Sequence, residues 1–151
     1  MSKIWSNRYT NLAKEISTWS KDPSTKVGAV VIGKDGQVLS QGYNGFPRGI
    51  ADSKKRFENK QIKYELVVHA EMNSIYNASL TGVSLKGATL YVYGLPICNE
   101  CAKGIIQVGI KRVIATRPKK YNVAWDKSIQ QAKQLFNEAE VMYLINVEEE
   151  I

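Results

Sequence analysis

Apolar side chains recur at Ile4, Trp5, Tyr9, Leu12, Ile16 and Trp19, a spacing that predicts an amphipathic helix over residues 3–20. DPST at 22–25 punctuates it. The valine-rich run KVGAVVIG at 26–33 reads as a strand, KDG at 34–36 as a hairpin turn, and QVLSQGYNG at 37–45 as the returning strand. Residues 46–63 have no clean period and are polar and turn-rich, which predicts a loop with room for a short helical piece. From His69 to Leu80, apolar residues at Ala70, Ile75, Ala78 and Leu80 predict a second helix, and Gly82 stands just past its end. ATLYVYG at 88–94 is a β-type run, broken by LPIC. A helix over 101–110, ended by Gly109, and a strand over 111–116 follow. The loop at 117–125, a helix over 125–139 and a strand over 141–146 complete the pattern. Hairpin connection early and helical connections later predict an α/β fold. Its three α-β-α layers would enclose a mixed five-stranded sheet, antiparallel in the first half and parallel in the second.

The 151 residues, 44% of them hydrophobic, suit one domain over 1–151 with a real core. No apolar run reaches the length that spans a membrane. MSKIWSNRYTNLAKE has no long apolar core and does not read as a secretory signal. A cytoplasmic location is therefore expected. The net charge of +7 is uneven. Residues 1–63 carry twelve Lys/Arg against five Asp/Glu, whereas residues 64–151 carry nine of each. The basic excess fits either a phosphorylated small-molecule partner or a lysine-rich solvated face. No basic stretch interleaved with aromatic residues points to nucleic acid.

The chain has one histidine, His69 in VVHAEMNSI, and two cysteines, Cys98 and Cys101 in ICNEC. Cysteines three apart are a poor framework disulfide and read as a redox pair or as metal ligands. Zinc takes thiolate and imidazole donors, and a catalytic site leaves one of four positions to water. His69, Cys98 and Cys101 form such a set with one vacancy. His69 opens one predicted helix and the cysteines open the next, so the sheet edge can bring them together. A thiol pair without metal, or a plain core histidine, stays open on residue types alone. Glu71 decides the chemistry. As a fourth ligand it would close the site; beside an open position it can move protons. Residues i and i+2 diverge around a helix, so the second role requires the metal to sit over the helix start.

His69-Ala70-Glu71 followed by Pro96-Ile97-Cys98-Asn99-Glu100-Cys101 resembles the zinc cytidine-deaminase superfamily, whose signature is H-x-E with P-C-x-x-C. DPSTKVGAVVI at 22–32, GYNGFPRG at 42–49, GATLYV at 87–92 and CAKGIIQVGIKRVI at 101–114 are similar to its deoxycytidylate (dCMP) deaminase branch. The likeness runs from about residue 5 to 140. Two departures stand out. Ile97 separates the proline from the first cysteine, which alters the approach to the helix while keeping the cysteine spacing. Ser74 stands where the branch often has alanine.

The resemblance implies hydrolytic deamination of dCMP to dUMP and ammonia, with Zn2+ on His69, Cys98 and Cys101, and with Glu71 carrying protons. It implies substrate contacts from Ala70, from Asn44 in GYNG and from Tyr121 in KKYN. Ser24, Thr25 and Lys26 are candidates for the phosphate end. Many branch members are activated by dCTP and inhibited by dTTP, with Mg2+ accompanying the triphosphate. Gly42, Tyr43, Asn44, Gly45 and Arg48 are the candidate effector contacts. A homo-oligomer, a hexamer in this branch, is the expected assembly. Rival functions are a tRNA adenosine deaminase, a free (deoxy)cytidine or cytosine deaminase, and a deaminase of riboflavin precursors. A different class is a zinc-stabilised nucleic-acid-binding module, which would bind metal and release no ammonia.

Overall fold

The computed structural model describes residues 2–119 and 126–148. Five strands form one sheet in the order β2-β1-β3-β4-β5: β1 (Gly28–Ile32), β2 (Val38–Tyr43), β3 (Thr89–Tyr93), β4 (Arg112–Arg117) and β5 (Met142–Val147). β1 lies antiparallel to β2 and to β3, and β3, β4 and β5 run parallel, as the connections predict. The hairpin closes with the Gly33 N–H on the Gln37 carbonyl at 2.8 Å, and Gly36 takes the positive φ of 84° that the turn requires.

Alternation along the three central strands divides the core in two. Ala29, Val31, Leu90, Val92, Val113 and Ala115 face one way, against α4 (Ala70–Thr81), α5 (Asn99–Gln107) and α6 (Asp126–Glu138). Val30, Ile32, Tyr91 and Ile114 face the other way, against Tyr9, Ala13 and Ile16 of α1 (Lys3–Ser17). Helices on both faces explain why these strands read as nearly unbroken apolar runs. β2 approaches α4 very closely at Gly42. A Cβ there would meet the Ser74 nitrogen at 2.4 Å and the Ala70 carbonyl oxygen at 2.7 Å. No helix among the described residues is long and apolar enough to cross a membrane.

The sequence expectation is modified in two places. Residues 46–63 yield two short helices rather than a loop with one piece, α2 (Lys54–Glu58) and α3 (Lys60–Leu66), the second running on to Leu66. Neither has an apolar period to reveal it; each is started by a cap. Ser53 Oγ accepts from the Arg56 N–H, and Asn59 Oδ1 accepts from the Ile62 N–H. Similarly, β1 begins at Gly28 instead of Lys26. Upstream, side chains take the backbone donors: Asp22 accepts from the N–H groups of Ser24 and Thr25, and Asn44 accepts from that of Val27.

Candidate metal centre and its cavity

Two helices start at the same edge of the sheet, and each is capped by a predicted ligand. His69 is the N-cap of α4, with extended backbone at φ −69° and ψ 154°. Cys98 is the N-cap of α5, and its Sγ accepts from the Cys101 N–H at 3.4 Å. Unpaired N–H groups and the helix dipole at such positions favour negative charge, and hence thiolates. His69 Nδ1 lies 3.4 Å from Cys98 Sγ and 3.3 Å from Cys101 Sγ, and all three donor atoms lie within 4.8 Å of one another. A tetrahedral ion with bonds of about 2.3 Å to sulfur and 2.0 Å to nitrogen separates such donors by about 3.5 Å. The donor set therefore fits zinc in both chemistry and spacing.

The electrostatics of the trio point the same way. A hydrogen bond from Cys101 draws the Cys98 thiol down to about 4 against the opposing effect of burial, and His69 assists. The hydrogen bond with Cys98 pushes His69 up to about 9, again against burial. Cys101 is pushed upward by Cys98, by burial and by the nearby Glu71 charge. The trio thus favours negative charge at Cys98, which suits a divalent cation.

Glu71 is the second residue of α4 and is only 4% exposed. Burial raises its carboxyl above the usual range, with the His69 charge opposing. Among the described residues, its carboxylate is not one of the mutually close donors, although it accepts a hydrogen bond from Cys101. His69 stands before the helix rather than within it, so the divergence of i and i+2 within a helix does not apply to the pair. Ser74, fully buried one turn on, donates its hydroxyl to the Glu71 carbonyl at 2.6 Å, so the atom that distinguishes it from an alanine has a partner.

A cavity of about 440 Å³ opens over His69, Glu71 and Cys98. Residues 3–117 match the family model for the cytidine and deoxycytidylate deaminase zinc-binding region. The chain belongs to this family. Human deoxycytidylate deaminase is 39% identical to this deaminase over 144 residues, covering 92% of this chain and 78% of that protein. An uncharacterized deaminase of Aliivibrio fischeri is 38% identical over 142 residues, covering 93% of this chain and 92% of that one. Among solved structures, the dCMP deaminase of cyanophage S-TIM5, in complex with dCMP and dUMP, superposes with a TM-score of 0.76. It is 25% identical, with 96% of this chain and 98% of that one covered.

The cavity of this deaminase also gathers most of the predicted substrate residues. Ser24, Thr25, Lys26, Asn44 and Ala70 all line it. Asn44 is largely occupied with its own neighbours. Its Nδ2 donates to the Thr25 carbonyl at 2.8 Å while its Oδ1 takes the Val27 N–H at 2.9 Å. Lys26 donates to the Ser20 carbonyl. The rest of the GYNG segment lies outside the cavity wall. Gly42 is pressed on α4, Tyr43 meets Trp19 edge to face, Gly45 pairs with Val68, and Arg48 donates to Asn77. Tyr121 lies outside the described residues.

Three features escaped the sequence reading. Lys63 of α3 reaches 41 residues back to Asp22, with Nζ 2.8 Å from Oδ2, and also bonds Ser24 Oγ. Burial alone would raise the Asp22 carboxyl, but Lys63 and the Ser24 and Thr25 N–H groups outweigh it and hold the carboxyl below the usual range. At another wall, Glu148 accepts from Tyr93 and Lys14. Behind the cysteines, Tyr143 and Ser128 contact the turn that carries them. None of these pairings has a local sequence signal, because each joins elements far apart in the chain.

Proposed function

We propose that this protein is a single-domain dCMP deaminase that converts dCMP and water to dUMP and ammonia. The carrying observation is the buried Glu71 carboxyl beside, and not within, a closed group of three zinc-type donors at the floor of a mononucleotide-sized cavity. His69, Cys98 and Cys101 would hold the metal, and zinc bound there would lower the pKa of a water molecule toward neutrality.

Glu71 would take one proton from a water at the open position and deliver it to N3 of the pyrimidine while the water oxygen bonds to C4. It would then take the second proton from that oxygen and pass it to the amino group, so that the C4–N bond breaks, ammonia leaves and the C4 carbonyl of dUMP forms. Burial raises the Glu71 pKa, which suits a group that must both accept and give up protons near neutrality. Ala70, buried beside Glu71, offers backbone rather than side-chain polarity to the base. Ser24, Thr25 and Lys26, with Asn44 on the adjoining wall, serve the sugar and phosphate end. Lys63, paired with Asp22, donates to the Ser24 hydroxyl and so fixes that end of the cavity. Tyr121 is assigned to the nucleotide by resemblance alone.

The names of the relatives, at identities near 40% over most of the chain, support dCMP as the substrate. Effector control by dCTP and dTTP with Mg2+, through Gly42, Tyr43, Asn44, Gly45 and Arg48, and assembly as a homo-hexamer complete the reading. The basic excess of residues 1–63 supports a triphosphate site on that side. Zinc-quantified protein assayed with dCMP, deoxycytidine and a tRNA anticodon hairpin tests the substrate. dCMP should lead deoxycytidine by orders of magnitude in kcat/KM, and the hairpin should be inert. Equal rates on dCMP and deoxycytidine would reject the nucleotide assignment. A titration with dCTP and dTTP in Mg2+ tests regulation, and a flat velocity would reject it.

A further inference from the structure

We propose that Tyr143 is a positioning residue for the metal-binding cysteines, required because Ile97 stands where the family signature has proline. The inference rests on the metal-centre reading above. A proline directly before the first cysteine has no N–H. Ile97 has one, and Ile97 is fully buried. A buried backbone donor needs an acceptor. Tyr143 Oη supplies it at 3.0 Å, from a strand 46 residues further along.

The phenol is itself well fixed. Its ring packs edge to face on Phe136 of α6, with centroids 4.9 Å apart. A second clamp acts two residues later. The Asn99 N–H donates to Ser128 Oγ at 2.9 Å, Ser128 returns its hydroxyl to Asn99 Oδ1 at 3.0 Å, and Asn99 Nδ2 donates to Gln131 at 2.8 Å. Cys98 sits between the clamped N–H groups of residues 97 and 99. Both clamps come from α6 and β5, beyond residue 117, where the family match ends. The part of the chain beyond residue 117 therefore sets the position of a ligand that the matched region supplies. The insertion of Ile97 and the hydroxyl of Tyr143 form one coupled feature.

Tyr143→Phe keeps the ring on Phe136 and removes only the oxygen. In the cobalt-substituted enzyme, this variant should lose its metal to a chelator about tenfold faster, with altered thiolate-to-cobalt absorption. kcat for dCMP should fall while KM stays within about twofold, since the cavity's substrate end is untouched. Ile97→Pro removes the donor and with it the need for the acceptor, so adding Tyr143→Phe to that background should change neither the chelation rate nor the spectrum. Should Ile97→Pro fail to fold, replacing the residue 97 amide by an ester removes the same N–H and keeps the side chain.

An unchanged chelation rate and spectrum in Tyr143→Phe would overturn the proposal while leaving the metal centre intact. So would an equal loss with and without the residue 97 N–H. Wild-type protein that takes up no cobalt would instead overturn the metal centre itself.

Discussion

The cavity has two buried polar ends, and they are satisfied in opposite ways. At one, Lys63 and Asp22 neutralise each other, with Ser24 and Thr25 filling the remaining lone pairs of the carboxylate. At the other, one imidazole and two sulfurs crowd together, with a buried carboxyl alongside. The first arrangement is complete as it stands. The second offers a donor set that a cation would complete. Burial of polar groups is common to both ends; what separates scaffold from chemistry is whether the protein supplies every partner.

That contrast can be broken most severely at Glu71. Glu71→Gln should retain one zinc per chain and lose activity by about 10²–10⁴-fold, read by ammonia release from dCMP alongside metal analysis. Asp22→Asn at the opposite end should leave zinc content unchanged. It strands the Lys63 ammonium, whose side chain is 12% exposed, and should cost about 3 kcal/mol in chemical denaturation.

A weaker effect follows from acid. The folded-state pKa of Asp22 lies below its unfolded value, so its stabilisation is complete above pH about 4 and is lost as the pH falls through the lower folded value. The gap in denaturation midpoint between wild type and Asp22→Asn should accordingly narrow below that pH. The smallest effect is expected on the rim. Lys14, more than half exposed, pairs with Glu148, and Lys14→Met should leave both melting temperature and kcat/KM close to wild type.

The end of the cavity that carries chemistry was the more legible in sequence. His69, Cys98 and Cys101 belong to the two rarest chemistry-bearing types in the chain, Glu71 stands two residues from the histidine, and each pair lies at a helix start that the apolar pattern marks. The three central strands were legible for a related reason: burial on both faces leaves nearly unbroken apolar runs. Lys63 was hidden because α2 and α3 are set by the caps Ser53 and Asn59 rather than by apolar period. Its partner Asp22 read only as part of a turn, since the ion pair joins segments that folding alone brings together. Tyr143 looked like one more apolar residue of a last strand. The only hint of its role was the isoleucine inserted before Cys98, which signalled a different approach to the helix without naming the group that stabilises it.

The most direct test is turnover of dCMP by the same protein preparation before zinc removal, after it, and after titrating zinc back. Activity should vanish on removal and return in proportion to added metal, reaching its plateau at one zinc per chain. Turnover that persists in the metal-free protein, or full zinc occupancy with no ammonia released, would contradict the account.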